Sequence, residues 1–395
     1  MSAVASRPSG PHAILGAFDA MESAAIVVHQ ERCAKVRNRN VTCLKCAEAC
    51  TSGCIALVDG ELVVDASKCV GCGTCATVCP TCALETRNPT DAELAAACAA
   101  ARCGGEVVIA CEPALAALDG LVRPDAVASV VCAGRVDESL LAGLAAQGVS
   151  HVRVLCGSCE SCAQRHGRAT AELVAETCER VLAAWGAQLA VDVGERVPEA
   201  VLADGVAPDD AAAAFAEHFA QPRGNEPIAP EKSRVNGTDA ARRAAPLRVM
   251  RDGTLPHFVP DRRERLLDAL ADLGEPQAEK LDCRLWGTVV IDGSKCTSCR
   301  MCATFCPTGA IVKFDEADGR MGVKHFPADC VKCGSCRDIC PADAIVLRDQ
   351  VKPAALANGE CHRYSMAPRP VSVRNNPHQI LDTMRQTFNG DLFER

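Results

Sequence analysis

The sequence predicts two small α+β domains built around metal-binding cysteines, with an α/β domain that contains a parallel sheet between them. Three observations support this architecture. Of the 395 residues, 28 are cysteine, and many fall in short repeats within two separate segments of the chain. Short β-branched runs alternate with helical patterns between those repeats. Aromatic residues make up only 3% of the chain, so the cysteine-rich segments need metal sites to serve as their cores.

Three cysteine runs share the pattern C-x2-C-x2-C-x3-C followed by proline. They read "CVGCGTCATVCPTCAL", "CTSCRMCATFCPTGAI" and "CVKCGSCRDICPADAI". This is the run that holds a [4Fe–4S] cluster in bacterial ferredoxins, because the closely spaced thiolates can surround one cluster. Their candidate ligands are Cys69, Cys72, Cys75 and Cys79; Cys296, Cys299, Cys302 and Cys306; and Cys330, Cys333, Cys336 and Cys340.

A fourth run, "CLKCAEACTSGCIAL", departs from this spacing. Aligned on the residues after its last ligand, it places Cys54 where the clean runs have Ala310 and Ala344. The first ligand is then Cys33, which an insertion separates from the rest. The predicted ligands are Cys33, Cys43, Cys46 and Cys50. The alternative quartet, which leaves Cys33 free, is Cys43, Cys46, Cys50 and Cys54.

The runs come in pairs, and both paired segments resemble two-cluster bacterial ferredoxins. The resemblance implies an α+β ferredoxin-like fold for residues 25–90 and 258–350, with four [4Fe–4S] clusters in all. In such pairs the fourth cysteine of each run ligates the cluster of the other run. The implied sets are Cys33, Cys43, Cys46 with Cys79; Cys69, Cys72, Cys75 with Cys50; Cys296, Cys299, Cys302 with Cys340; and Cys330, Cys333, Cys336 with Cys306.

Residues 100–195 alternate runs such as "GEVVIAC" and "HVRVLCG" with helical segments such as "DESLLAGLAAQG". This alternation predicts an α/β domain with a parallel sheet. Cysteines follow three of the predicted strands, and the carboxyl ends of parallel strands are where open α/β sheets bind ligands. These cysteines are Cys111, Cys132, Cys156, Cys159 and Cys162. They predict a further iron–sulphur cluster, although Cys111 and Cys132 each also suit a small buried hydrophobic position.

The stretch "CAGRVDESLLAGLAAQGVSHVRVLCGSCESC" also resembles the small iron–sulphur (delta) subunit of methyl-viologen-reducing hydrogenase, which relays electrons to heterodisulfide reductase. The resemblance covers roughly residues 105–185. The final C-x2-C-x2-C is more tightly spaced than in that family, which leaves the cluster type open between [4Fe–4S] and [2Fe–2S]. The predicted ligands are Cys111, Cys132, Cys159 and Cys162, with Cys156 as a substitute.

Two segments have the composition of connections rather than domains. Residues 196–257 are rich in Ala, Pro, Asp and Arg and predict a linker, after which "PDRRERLLDALADLG" predicts an amphipathic helix that ends at Gly274. Residues 351–395 predict an extended tail, either disordered or an arm that wraps another subunit. The remaining cysteines are interpreted as packing residues or exposed thiols: Cys54, Cys82, Cys98, Cys103, Cys178, Cys283 and Cys361.

Charge and hydropathy indicate a cytoplasmic protein. The formal net charge of −8 provides no basic surface for nucleic acid, and no apolar run approaches the ~20 residues that a membrane helix needs. The N-terminal "MSAVASRPSG" lacks the pattern of a signal peptide, and disulfide-rich proteins tend to be small and secreted. We therefore expect metal sites rather than disulfides, with no nucleic-acid partner and no membrane insertion.

The motifs favour electron transfer over substrate chemistry. The sequence has no dinucleotide fingerprint, P-loop or H-E-x-x-H motif. We expect an iron–sulphur subunit of a multi-subunit oxidoreductase of anaerobic metabolism, whose partners contain flavin or resemble hydrogenase or heterodisulfide reductase. A molybdopterin oxidoreductase such as a formate dehydrogenase is an alternative partner. An enzyme whose central cluster has an open iron site is a second hypothesis; a redox sensor is a third, for which no signalling module is visible.

Overall fold

The computed structural model describes residues 25–160, 162–220, 250 and 254–367. Within these ranges the chain has a mixed α/β architecture, in which the only parallel strand pairs of the described residues belong to one four-stranded central sheet. The small cysteine-rich segments on either side of this sheet contain antiparallel pairs. No helix of the described residues combines the length and apolar character that a membrane crossing requires.

The first cysteine-rich segment, residues 25–90, consists of short strands and short helices. Its elements are β1 Ile26–Val28, α1 Ala34–Arg37, α2 Lys45–Ala49, β2 Ile55–Val58, β3 Glu61–Val64, α3 Thr74–Val78 and β4 Leu84–Thr86. Strand β1 pairs with β4, and β2 pairs with β3 through Asp59 and Gly60, whose positive φ angles of 51° and 84° suit a tight hairpin turn. Few large apolar side chains are available, so Cys46, Cys54 and Cys75 are part of its core.

The central segment forms the predicted parallel sheet, with strand order β6-β5-β7-β8. Its strands are β5 Glu106–Cys111, β6 Ala128–Val130, β7 His151–Leu155 and β8 Ala190–Gly194, and its helices are α4 Asp91–Ala100, α5 Glu112–Ala117, α6 Glu138–Ala146 and α7 Gly167–Ala184. The chain passes from β5 to β6 on one side and then to β7 on the other. The carboxyl ends of β5 and β7 therefore flank the switch point, where such sheets bind ligands.

Side-chain caps fix the starts of two central helices. Thr90 and Glu93 form a reciprocal capping box at the start of α4. The Asp137 carboxylate accepts hydrogen bonds from the backbone N–H groups of Ser139 and Leu140 at the start of α6. The described residues also contain short 3-10 turns at Gln30–Arg32, Pro124–Ala126, Ala133–Arg135 and Glu199–Val201.

The predicted linker begins at residue 196, but its described part is folded against the central segment. Helix α8, Pro208–Ala220, buries Ala211 and Phe215 in the main hydrophobic core. Residues 221–249 and 251–253 lie outside the described residues. The predicted amphipathic helix is confirmed as α9, Asp261–Asp272, which packs on α6.

The second cysteine-rich segment, residues 281–367, repeats the antiparallel pairing of the first. Its elements are β9 Leu281–Asp282, β10 Thr288–Ile291, α10 Met301–Thr304, β11 Ile311–Asp315, β12 Met321–His325, α11 Ser335–Asp338, β13 Ile345–Arg348, β14 Gln350–Val351, α12 Pro353–Asn358 and β15 His362–Met366. Strand β10 pairs with β13, and β14 pairs with β9. The described start of the predicted tail thus contains a helix and strand β15, which pairs with β12, whereas residues 368–395 lie outside the described residues.

Candidate metal centres

The predicted ligands of the two cysteine-rich segments lie in four groups of thiols that raise one another's pKa. We name them sites I to IV in the order in which they lie along the molecule. Site I is Cys50, Cys69, Cys72 and Cys75; site II is Cys33, Cys43, Cys46 and Cys79; site III is Cys306, Cys330, Cys333 and Cys336; and site IV is Cys296, Cys299, Cys302 and Cys340.

Site II joins cysteines that are far apart in sequence. Burial raises the pKa of Cys46 to about 12, and the neighbouring thiols of Cys79, Cys33 and Cys43 contribute to the rise. Helices α2 and α3 pack against each other, and each is followed at once by the cysteine that belongs to the other site. This packing brings Cys79 to site II and Cys50 to site I. The structure therefore places the crossed sets of the first segment together.

Site I contains one thiol more than the predicted set. Cys54 Sγ lies 3.4 Å from Cys50 Sγ, and the Cys54 side chain is hydrogen-bonded to that of Cys69. Burial raises the pKa of Cys75, and the thiols of Cys72, Cys50 and Cys54 contribute. The alternative quartet of Cys43, Cys46, Cys50 and Cys54 is divided in the structure, because Cys43 and Cys46 lie with site II.

Sites III and IV have the same crossed arrangement. Burial raises the pKa of Cys330 to about 11, and the Cys306 thiol is among the further causes. Burial likewise raises the pKa of Cys302 to about 12, together with the thiols of Cys299, Cys296 and Cys340. All four cysteines of site IV line one small cavity, and Met366 is also part of its lining.

The loops around these sites fit an iron–sulphur cluster. In all three regular runs, the residues immediately before and after the second cysteine have a positive φ. These residues are Gly71 and Gly73, Ser298 and Arg300, and Lys332 and Gly334. Alternation of right- and left-handed backbone points successive N–H groups into a concavity that suits the anionic sulphur atoms of a cluster.

Direct N–H···S contacts and the soft thiol donors agree with this fit. The backbone N–H of Ala83 donates to Cys79 Sγ at 3.3 Å, and that of Ala344 donates to Cys340 Sγ at 3.4 Å. Thiolates are the ligands that iron–sulphur clusters take. Among the described residues, no three His, Cys, Asp or Glu side chains converge as the ligands of a single metal ion do.

A fifth group of cysteines, the central site, lies at the switch point of the parallel sheet. It comprises Cys111, Cys132, Cys156, Cys159 and Cys162. Burial raises the pKa of Cys111 to about 11, with contributions from the thiols of Cys159 and Cys162. A hydrogen bond from Cys156 lowers the pKa of Cys159 to about 6, assisted by the backbone N–H and the charge of Arg168. All five thiols thus lie together, and Ser161 between the last two lies outside the described residues.

The central site is adjacent to site I. Burial, and then the thiol of Cys72, raise the pKa of Cys132. Gly134 lies so close to helix α3 that a Cβ atom there would clash with Thr74 Oγ1. The Thr51 hydroxyl donates a hydrogen bond of 2.6 Å to the carbonyl of Ala163 across the same boundary. The first cysteine-rich segment therefore packs its site I against the sheet.

Site II is adjacent to site III across the contact between the two cysteine-rich segments. Burial raises the pKa of Cys333, and the thiol of Cys43 is among the further causes. The Arg37 guanidinium, which is 5% exposed, donates to the carbonyls of Pro256 at 2.8 Å and Cys306 at 3.4 Å. Its desolvation lowers the pKa of Arg37, while the thiols of Cys306 and Cys333 oppose that shift. Sequence reasoning missed this buried cation, because nothing in the motif marks it.

Two domain models match this chain. Residues 288–344 match a 4Fe-4S dicluster domain, and residues 62–85 match a 4Fe-4S binding domain. Searches of curated proteins and of solved structures gave no match. Two ferredoxin-type 4Fe-4S domains are therefore present, and iron–sulphur domains of this kind imply a role in electron transfer.

Proposed function

We propose that this chain is the iron–sulphur electron-transfer subunit of a multi-subunit oxidoreductase. When bound, a [4Fe–4S] cluster at each of sites I–IV, and one further [4Fe–4S] or [2Fe–2S] cluster at the central site, supply one-electron redox centres. The observation that carries the proposal is the unbroken order of the thiol groups: central site, I, II, III, IV.

Each neighbouring pair of groups in this order is joined by thiols that influence one another. The thiol of Cys72 helps to raise the pKa of Cys132, and that of Cys46 helps to raise the pKa of Cys75. In the same way Cys43 acts on the pKa of Cys333, and Cys302 on the pKa of Cys336. The five groups thus form a continuous series of neighbours, which begins with the central site and ends with site IV. Each transfer along such a series moves one electron, oxidises the donor and reduces the acceptor, and makes or breaks no bond in this chain.

The two ends of the series suit different partners. The likeness of residues 105–185 to the hydrogenase delta subunit supports a flavin-containing, hydrogenase-type or heterodisulfide-reductase-like protein at the central end. At the opposite end Cys299 is exposed, which supports docking of a second redox protein, the catalytic subunit. A molybdopterin oxidoreductase such as a formate dehydrogenase is the alternative catalytic partner, because enzymes of that class also use multi-ferredoxin subunits.

A conspicuous cavity lies away from the thiols. It has a volume of about 280 Å³ between α4, α6 and α9, and its lining includes Asp91, Arg135 and Arg265 but no cysteine. This cavity therefore gives no support to substrate chemistry at an open iron site of the central cluster.

The test is purification of the full chain, with its native partners, without exposure to oxygen. We expect about sixteen irons for four [4Fe–4S] clusters, and two to four more for the central site. We also expect a flavin-, molybdenum- or hydrogenase-type subunit in the complex. Replacing Cys33 by Ala should stop electrons from crossing between the central site and site IV. Colourless, iron-free protein, or full turnover by the isolated chain, would contradict the proposal.

A further inference from the structure

Site I holds one thiol more than its four predicted ligands. Cys54 is 5% exposed, lies 3.4 Å from the Cys50 sulphur and is hydrogen-bonded to Cys69. A [4Fe–4S] cluster takes four protein thiolates. One of the five is therefore in excess, and Cys50 and Cys54 are the two that come from the same short segment.

The other three cluster runs have a small residue at the position of Cys54. Four residues after the crossing cysteine they carry Ala83, Ala310 and Ala344, all of which are buried. At two of these positions the backbone N–H donates directly to the sulphur of the crossing cysteine. The position is thus close to the site in every copy, and a cysteine there can present its own sulphur to the site.

We propose that Cys50 and Cys54 are alternative fourth ligands of site I, so that a cluster held by Cys69, Cys72 and Cys75 can be completed by either thiolate. This inference rests on the iron–sulphur assignment within the proposed function and is independent of the relay role and of the partners. Its geometric basis is that one sulphur can replace the other with little movement, since the two atoms are already in contact.

The exchange is balanced without any oxidant or reductant. One iron–sulphur bond to the outgoing cysteine breaks and one to the incoming cysteine forms. The incoming thiol loses its proton, and the outgoing thiolate gains one. The hydrogen-bonded pair of Cys50 and Cys54 provides a direct path for that proton, and Ser52 Oγ lies 3.4 Å from Cys50 Sγ as a further donor or acceptor.

The consequence for the chain is that site I tolerates the loss of one ligand. Site I lies between the central site and site II, so loss of its cluster would divide the series into two parts. Cys54 would keep a cluster at site I, the site adjacent to the central sheet, if Cys50 were lost as a ligand.

The experiment compares iron content in full-length chains purified without oxygen. We expect Cys50→Ala and Cys54→Ala each to retain the wild-type iron content, and the double variant to lose about four irons. The matched control is Cys306→Ala, which crosses to site III and has Ala310 in place of a reserve thiol; it should lose about four irons by itself. Adding Ala310→Cys to that control should restore them.

Spectroscopy distinguishes ligand exchange from simple misfolding. Low-temperature electron paramagnetic resonance of reduced Cys50→Ala should show all the wild-type clusters, with the g-values of one signal changed. Circular dichroism of both single variants should be the same as that of the wild-type chain. If Cys50→Ala or Cys54→Ala alone loses as much iron as the double variant, that residue is the sole ligand and the inference is wrong. If the wild-type chain contains no iron, the iron–sulphur assignment itself fails.

Discussion

The two cysteine-rich segments reach the same arrangement from different sequences. In the second segment both runs are regular, and one dicluster model matches residues 288–344 without interruption. In the first segment only the run within residues 62–85 matches, because Cys33 is separated from Cys43 by an insertion. Both nevertheless pack two short helices so that the last cysteines cross over. The crossing therefore depends on helix packing rather than on uniform spacing.

The insertion that breaks the pattern also makes the contact between the two segments. Arg37 and Thr42 lie within it, and both bind the second segment: Arg37 through the carbonyl of Cys306, and Thr42 through the carboxylate of Asp338. The regular segment has no corresponding insertion. The departure from the motif therefore supplies the surface that brings site II next to site III.

The strongest test of this comparison is Cys33→Ala, paired with Cys54→Ala. If the displaced Cys33 belongs to site II, its removal should cost about four irons and the associated paramagnetic signal, whereas Cys54→Ala should cost none. Iron and sulphide quantitation provides the measurement. The reverse result would support the quartet that leaves Cys33 free.

A second prediction concerns the buried cation of the insertion. Arg37→Gln removes charged hydrogen bonds to three backbone carbonyls, those of Glu31, Pro256 and Cys306, and should lower the free energy of unfolding by about 2–3 kcal/mol. Loss of the positive charge should also lower the reduction potentials at sites II and III, because the reduced clusters carry more negative charge.

Thermal denaturation and a redox titration followed by paramagnetic resonance measure the two effects. Lys35→Gln is the control, since Lys35 lies in the same insertion and its ammonium group donates to the carbonyl of Arg39. Unchanged potentials in Arg37→Gln would show that the guanidinium acts on packing alone.

A third prediction compares equivalent glycines. Gly73 and Gly334 have φ angles of 78° and 81° at the same position of their runs, so alanine should cost about 1–2 kcal/mol at either. At Gly73 a Cβ atom would also lie 2.6 Å from Arg135 Cδ, whereas at Gly334 the nearest atom is Arg337 Nη2 at 3.3 Å. Gly73→Ala should therefore be the more destabilising variant in a denaturant titration. If both variants lower the free energy of unfolding equally, the Arg135 side chain moves away from position 73 at little cost.

The smallest effect is expected from the pH dependence of the Thr42 contact. Desolvation raises the pKa of Asp338, but hydrogen bonds from Thr42 and Arg337 outweigh it, and the net pKa lies below the usual value. Such a group stabilises the folded state above its unfolded pKa of about 3.9, and this stabilisation is lost as the pH falls through the lower folded pKa.

We therefore expect Thr42→Val to reduce stability at neutral pH and to differ little from wild type well below pH 4. Thr42→Ser, which keeps the hydroxyl, is the control. Denaturation at a series of pH values gives the comparison, and a constant difference at all pH values would exclude the Asp338 carboxylate as its source.

The sequence predicted which cysteines lie together better than it predicted how the segments that hold them pack. The spacing of the run was sufficient to group Cys69, Cys72 and Cys75, and the resemblance to two-cluster ferredoxins implied Cys50 as their neighbour. The alternation of strands was sufficient for the parallel sheet. Neither pattern contains information on how separate segments dock, so the order of the sites and the burial of Arg37 emerged only from the structure.

Some misses had a visible signal. Helix α8 lies wholly within the predicted linker. Its sequence nevertheless spaces Phe215 and Phe219 as neighbours on one helical face, and Phe215 is fully buried. The segment was interpreted as a linker because of its many alanines, although its phenylalanines have the spacing of an amphipathic helix. Cys54 was aligned with Ala310 and Ala344 as a packing residue, and the same alignment also places its sulphur at site I.

Strand β15 ends beside site IV, where Met366 lines the cavity and the carbonyl of Ala367 accepts a hydrogen bond of 2.6 Å from Ser298. The last described residues of the strand therefore lie beside site IV. A redox partner that docked on strand β15 would thus lie beside the exposed Cys299, so that a single contact surface would serve both binding and electron transfer.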